Sequence, residues 1–159
     1  MSETIARPAG AQDAVRSIRA HHARLTRGLA DRVRSVLDAV RDGGDAHAAR
    51  RGLVAFLDEE LMPHAAAEER TLYAAGRAVA DGRLLVEAMT EEHRVLAGQL
   101  AALREQSEPV ALVATAAQID SLFGVHLYKE NELLLPLLLD TGADLRALLQ
   151  DTHHLLEHR

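Results

Sequence analysis

The sequence lacks cysteine and tryptophan, and its 159 residues include only two tyrosines, two phenylalanines and a single lysine. Without cysteine, the chain has no disulfide scaffold, thiol nucleophile, zinc ribbon or iron–sulfur cluster. So few aromatic residues argue against a platform for stacking nucleic-acid bases. The formal net charge of −6 argues against binding the phosphates of a duplex. We therefore expect no nucleic-acid partner.

The sequence also lacks the features of a leader and of a membrane span. The N-terminal residues MSETIARPAGAQD have neither the basic start nor the apolar run of a signal peptide. The longest unbroken apolar run, residues 133–139, has seven residues, whereas ~20 are needed to cross a bilayer. A chain of this length is normally one domain. We therefore predict a single cytoplasmic domain over residues 1–159, with no membrane partner.

Segments rich in Ala, Leu, Arg and Glu alternate with short clusters of Gly, Pro and Ser, and strand-like alternation of β-branched residues is absent. Apolar residues recur every three or four positions, which is the repeat of an amphipathic helix. Pro63 and Pro136 lie inside such segments, and they predict a kink beside His64 and a loosened end of the fourth helix. The pattern predicts an all-α fold, an up-down-up-down four-helix bundle with a short C-terminal fifth helix. The predicted helices cover about residues 11–41, 45–75, 83–106, 109–140 and 143–158, so the bundle spans about 11–140.

One histidine interrupts the apolar face of each long helix: His22, His64, His93 and His126. The first two are each 19 positions from the turn that joins their helices, so they are at the same height. His64 and His93 are 11 and 10 positions from their own turn. His126 is offset from His93 by about four residues, or ~6 Å along a helix. We expect all four to converge on one layer of the bundle.

Two of these histidines have a glutamate one helical turn onward: His64 with Glu68, and His126 with Glu130. Residues four apart project from the same helix face, so each pair offers an imidazole and a carboxylate to one interior point. His153 also has a glutamate four residues onward, which we attribute to chance. The two pairs in the bundle differ from it because they share one height and face inward. Buried carboxylates are costly unless a cation compensates them, and this donor set suits iron, manganese or zinc. The predicted metal ligands are His22, His64, Glu68, His93, His126 and Glu130.

Four segments, one from each long helix, carry a family resemblance: RAHHARLT (19–26), FLDEELMPHAAAEERTLY (56–73), TEEHRVLAGQL (90–100) and GVHLYKENELLLP (124–136). Through them the sequence resembles the hemerythrin-like family, the HHE cation-binding domain, from about Ala14 to Leu139. The resemblance implies a four-helix bundle with two non-haem iron ions near one end, joined by an oxo or hydroxo bridge. It also implies that the four histidines ligate iron and that Glu68 and Glu130 bridge the ions. Manganese or zinc remain alternatives to iron because they bind the same donors.

Two adjacent histidines, His21 and His22, compete for the ligand position on the first helix. His22 precedes Leu25 by three positions, as His93 precedes Leu96. We therefore take His22 as the ligand. His21 is then expected to face solvent or to support a ligand from outside the site.

The sequence departs from the oxygen-carrying members of the family at Ala97, where they have a second histidine on the third helix. Each iron then has two imidazoles and the shared carboxylates, which is a more open coordination sphere. This opening weakens the case for reversible O2 carriage and favours chemistry with O2, peroxide or NO. Glu60, Glu69 and Glu92 are possible replacements for the missing ligand, although we expect them to be solvated or to hydrogen-bond a ligand.

Three functions are compatible with these features. The leading hypothesis is a di-iron protein that binds O2, peroxide or NO, with catalase-like disposal of peroxide as its reaction. It needs no catalytic residue beyond the metal ligands, although Tyr73, rather than Tyr128, is placed to donate a hydrogen bond to the site or to relay an electron. The alternatives are a non-catalytic sensor or store of oxygen or iron, and a bundle without a physiological metal. The fifth helix would cap the bundle or form a dimer contact, so a monomer or a homodimer is expected.

Overall fold

The structure, a computed structural model, describes residues 9–157, and these residues form five helices and no strand. The predicted all-α fold is confirmed. Two parts of the predicted domain lie outside the described range: residues 1–8, and residue 158 at the end of the predicted fifth helix. A single domain over residues 1–159 stays a prediction. The helices are α1 (Ala9–Asp42), α2 (46–77), α3 (Arg83–Glu105), α4 (109–140) and α5 (Leu145–Glu157), with a 3₁₀ turn at Ala80–Gly82 before α3.

Two of the long helices are not regular along their whole length. The segments of α2 are Ala46–Phe56, a π turn at Leu57–Leu61, Met62–Arg70 and, after a break at Thr71, Leu72–Arg77. The segments of α4 are Pro109–Lys129, a π turn at Glu130–Leu134 and Leu135–Asp140.

Each π turn ends two residues before a proline. A proline lacks the amide N–H and crowds the carbonyl four residues earlier. For Pro63 and Pro136 these carbonyls belong to Glu59 and Glu132, which lie inside the π turns. A π turn is wider than an α-helical turn, so it gives the proline ring room and lets the helix continue. The predicted kink beside His64 is therefore a π turn.

The four long helices pack around a common axis. Each contacts its sequence neighbours, and α1 closes the bundle against α4. Side chains cap the starts of α2 and α4: Asp45 accepts a hydrogen bond from the amide of Ala48 at 2.8 Å, and Glu108 accepts one from the amide of Ala111 at 2.6 Å. These caps satisfy amides that have no partner within the helix.

A buried polar layer divides the bundle core into two apolar clusters. On α1, His22 lies between Ile18, which belongs to one cluster, and Leu25, which belongs to the other. On α3, His93 is flanked in the same way by Met89 and Leu96 on the two sides. The cluster that contains Ile18 also contains Leu145 of α5, so the fifth helix packs over that end of the bundle.

By length and composition alone, the helix α4 is long and apolar enough to cross a membrane, as are many core helices of soluble proteins. Here its inner face supplies Phe123 and Leu134 to the two apolar clusters, and His126 and Glu130 to the polar layer between them.

Candidate metal site

The structure brings all six predicted ligands together in the polar layer. None of these residues is more than 5% exposed to solvent. Burial of four imidazoles and two carboxylates is costly in an apolar core unless they satisfy one another or bind a cation. The six residues are His22 from α1, His64 and Glu68 from α2, His93 from α3, and His126 and Glu130 from α4.

These residues form two groups that share their carboxylates. Within each group the donor atoms lie within 4.8 Å of one another. Each group has two histidines of its own, so the shared glutamates lie between the two pairs. The first group is His22, His64, Glu68 and Glu130, and the second is His93, His126, Glu68 and Glu130.

In the first group the imidazoles face the same carboxylate oxygen. Oε1 of Glu68 lies 3.1 Å from Nε2 of His22 and 3.0 Å from Nε2 of His64. Nε2 of His22 is also 3.6 Å from Oε2 of Glu130. In the second group, Nε2 of His126 lies 3.2 Å from Oε1 of Glu130.

The two imidazoles of the second group meet directly, since their Nε2 atoms are 3.0 Å apart. Counting residues had offset His93 and His126 by about four positions along the bundle, but in the structure their rings are in contact. Each ring also has a carboxylate at its outer nitrogen: Nδ1 of His93 donates to Glu69 at 2.8 Å, and Nδ1 of His126 donates to Glu92 at 2.9 Å. Lys129 in turn donates to Glu92. Such outer partners fix the rings and direct Nε2 towards the site.

The sequence offered three glutamates as possible replacements for the histidine that is missing at Ala97. Ala97 is exposed, and Glu60 is exposed on α2. Glu69 and Glu92 bind the outer nitrogens of the two histidines rather than adding donors on the inner side. None of the three glutamates therefore takes the place of the absent histidine.

Between the adjacent histidines of α1, the structure places His22 in the site. Its Nδ1 contacts the side-chain oxygen of Asn131 at 2.8 Å, and its Nε2 faces the carboxylates. His21 lies beside the site, with its ring centroid 4.7 Å from that of His64. Burial and the nearby imidazoles of His64 and His22 lower the pKa of His21 to about 4, so its ring is neutral near pH 7.

The sequence predicted only a supporting role for Tyr73, as a hydrogen-bond donor to the site or an electron relay. Its hydroxyl lies 2.5 Å from Oε1 of Glu130, 3.0 Å from Nε2 of His126 and 3.4 Å from Nε2 of His93. Burial and the charge of Glu130 raise the pKa of Tyr73, so the hydroxyl is protonated and donates to the carboxylate. Tyr128 is 60% exposed. The preference for Tyr73 over Tyr128 agrees with these positions.

The buried groups of the layer shift one another's pKa values. Burial lowers the pKa of His22, but the hydrogen bond to Glu68 and the charge of Glu130 outweigh burial and raise it to about 9. Burial also opposes the charge on His126, and Glu130 raises its pKa in the same way. His93 is the opposite case, because burial and His126 lower its pKa. Burial raises the pKa of Glu68, but the adjacent imidazoles bring it well below its usual range.

Two inward-facing atoms nevertheless have no hydrogen-bond partner: Nε2 of His64 and Oε2 of Glu130. Nε2 of His64 is within 3.0 Å of Glu68 but lacks hydrogen-bond geometry. An unpaired buried polar atom costs about 1–3 kcal/mol. A cation that accepts these lone pairs removes the cost, and imidazole with carboxylate suits iron, manganese or zinc. The residues present therefore fit a metal ion.

The fold and this buried layer of four histidines and two glutamates place the protein in the class of metal-binding helical bundles. The family model of the hemerythrin HHE cation binding domain matches residues 13–138. The chain belongs to this family, as its sequence segments indicated. Comparison with curated proteins and with solved structures gave no match.

Proposed function

We propose that the buried layer holds two metal ions, one in each histidine pair, bridged by Glu68 and Glu130. The observation that supports this proposal is that the same two carboxylates belong to both groups. A mononuclear site needs neither the second histidine pair nor two shared carboxylates. Carboxylates are able to bridge ions a few ångströms apart, and two-metal sites of this kind have separations of ~3.5–4 Å.

We further propose that Tyr73 completes the ligand set of the second ion. Its oxygen is within 3.4 Å of three donor atoms of that group, on the inner side of the site. Metal binding would displace the phenolic proton, just as a metal displaces the proton of a coordinated thiol or water. Tyr73 would thus supply the donor that Ala97 does not.

The pair of ions is proposed to be iron, with small oxidants as ligands and peroxide disposal as the reaction. When bound, an iron pair supplies two electrons to one hydrogen peroxide and recovers two from another, which gives two waters and one O2 in total. The chain supplies the surroundings: apolar clusters on both sides exclude bulk water. Glu69 and Glu92 hold the outer protons of His93 and His126, so these rings keep one tautomer.

The experiment is to load the protein with iron(II) under anaerobic conditions, count the metal and record the optical spectrum before and after O2 or peroxide is added. About two irons per chain with new charge-transfer absorption on oxidation would support the di-iron assignment. O2 release from added peroxide, followed with an oxygen electrode, would support peroxide disposal.

Other results would revise the proposal in defined ways. Two irons that react with O2 but release none from peroxide would favour the sensor or storage module over the enzyme. One ion or none would contradict the bridging roles of Glu68 and Glu130.

A further inference from the structure

The outer face of α4 carries no charge along most of its length. Between Val110 and Tyr128, every residue of α4 that is exposed to solvent is uncharged. Three of the exposed side chains are large and apolar: Val110, Val125 and Tyr128 are 72%, 58% and 60% exposed. The other exposed residues of this face are Ala114, Ala117, Gln118, Ser121 and Gly124.

This face differs from the outer face of α1, which has charged residues such as Arg16, Arg24 and Arg34 at exposed positions. The cores of protein interfaces are poor in charged residues and rich in tyrosine, and contiguous apolar faces on soluble proteins mark such interfaces. An anionic membrane surface would instead need a cluster of basic residues. The single lysine of the chain, Lys129, donates to Glu92. The face of α4 therefore suits a protein partner better than a membrane.

The order of large and small residues along α4 is complementary to itself about Ser121. Ala117 and Val125 lie four positions on either side of Ser121. Ala114 and Tyr128 lie seven positions on either side. If two copies of α4 pair antiparallel about a two-fold axis at this point, each bulky residue meets an alanine of the second copy. A patch that matches itself in this way is what a two-fold interface requires.

Gly124 gives separate support for the close approach of another helix. A glycine inside a helix costs about 1 kcal/mol relative to alanine. A Cβ at Gly124 would meet no atom within 4 Å, so packing within the chain does not require glycine there. Gln118 and Gly124 lie three positions on either side of Ser121. In the antiparallel pairing, the long side chain of Gln118 therefore faces the glycine of the second copy, where no side chain obstructs it.

The face is large enough for a weak but specific dimer. From Val110 to Tyr128, α4 is about 27 Å long at 1.5 Å per residue. A shallow groove extends the face towards α3, with Gln99, Leu122 and Val125 in its lining. Two packed helices are about 20 Å wide, so each copy offers roughly 500 Å² and the pair buries about 1,000 Å². This area is the lower limit for a specific interface, and it predicts a micromolar Kd.

We propose that the protein forms a homodimer through the outer face of α4, with the two copies of this helix antiparallel about a two-fold axis near Ser121. Each copy has a formal net charge of −6, so contact through an uncharged face avoids the repulsion between like charges. The inference does not depend on the proposed metal function, because the buried ligands His126 and Glu130 are on the inner face of α4.

The test measures the mass of the protein by sedimentation equilibrium over a series of concentrations. The wild type should change from monomer to dimer in the micromolar range. Ala117→Glu and Val125→Lys should each remain monomeric, because each buries an unpaired charge against an apolar residue of the second copy. The double variant should regain the dimer, because each new carboxylate then faces a new ammonium group. The two positions are about 12 Å apart within one copy, so the rescue arises between copies.

Matched controls place the same charges elsewhere on the bundle. Ala55 is exposed on α2, and α2 lies across the bundle from α4, since α1 and α3 each contact both helices. Ala55→Glu and Ala55→Lys should therefore dimerise like the wild type.

A cysteine probe tests the axis without weakening the interface. The chain has no cysteine, so Ser121→Cys gives each copy one thiol at the proposed axis. Mild oxidation should link this variant into a disulfide dimer, because two helices with small residues at their contact bring the facing Cα atoms within the reach of a disulfide. Ala55→Cys should stay unlinked under the same conditions.

The possible outcomes are distinct. A wild type that stays monomeric at every concentration would overturn the inference, and co-sedimentation of that monomer with phosphatidylcholine vesicles would assign the face to a membrane instead. A dimer that survives both single substitutions would place the contact on another face. Failure of the double variant to regain the dimer, or of Ser121→Cys to cross-link, would overturn the pairing about Ser121. Iron content is measured separately, so none of these results decides the proposed metal function.

Discussion

Replacing Glu68 by glutamine removes the charge of a carboxylate that belongs to both metal groups and keeps the size of the side chain. A bound ion stabilises the fold by about 2.7 kcal/mol when the free metal is at 100 times its Kd. Since Glu68 would serve both of the proposed ions, its loss should affect about 5 kcal/mol of metal-dependent stability. In a domain of this size 1 kcal/mol corresponds to about 2–4 °C, so the wild type should gain about 10–20 °C in Tm on adding metal. The Glu68→Gln variant should gain little.

The assay is thermal unfolding with and without Zn²⁺, which binds the same donors and has no redox chemistry, together with the metal count per chain. Each variant is compared with its own metal-free form, so changes in the stability of the empty protein cancel. Glu60→Gln is the matched control, because Glu60 is an exposed glutamate of α2 that does not contact the site. His93→Ala should keep one ion, since it disrupts one group. The bridging model is wrong if Glu68→Gln retains the full shift in Tm.

Three further predictions concern single features of the chain. Tyr73→Phe should abolish visible phenolate-to-iron(III) absorption while two irons remain bound; an unchanged spectrum would reduce Tyr73 to a hydrogen-bond donor. Gly82→Ala should destabilise the protein by about 2 kcal/mol or more, because a Cβ there would lie 2.3 Å from the carbonyl oxygen of Gly76. Gly98→Ala, at a helical position with open space around it, should instead stabilise by about 0.5–1 kcal/mol, and denaturant titration measures both. In the metal-free protein, the raised pKa of His22 stabilises the fold fully below its unfolded pKa of about 6.5. This stabilisation is lost as pH rises towards the folded pKa of about 9, so Tm should fall across that interval, and His22→Asn should flatten the profile.

The helices and the position of the site follow from periodicity because both depend on which residues face the core. The repeat around His22 and Leu25 selects one face of α1, and that face is buried in the structure. The capping residue Asp45 is equally local, since its side chain binds an amide three residues away. Such features are decided within one or two helical turns, so a single sequence contains them.

Other features depend on the packing of distant segments and were not predictable in the same way. A proline predicts a disturbed helical turn. Whether that turn becomes a π turn, as at Leu57–Leu61, depends on how both flanking segments pack. The break at Thr71 has backbone angles of −119° and −86°, and no glycine or proline marks it. Beyond this break, Tyr73 points into the site. The periodic pattern treats Tyr73 as one more core residue, because its polar end finds partners only on α3 and α4.

The two halves of the site are built differently, and this difference favours different roles for them in the proposed metal site. His93 and His126 have carboxylates on their outer nitrogens, which makes them stronger donors and fixes their rings. The pair formed by His22 and His64 has only the neutral amide of Asn131 outside it, and neither ring nitrogen of His64 has a hydrogen-bond partner. A small cavity between α1, α2 and α5 lies beside this weaker pair, with His64 and Glu68 in its lining. An ion held by fewer and weaker donors keeps more room for an exogenous ligand, so the second pair would anchor one ion firmly while the first would be the place where small molecules bind.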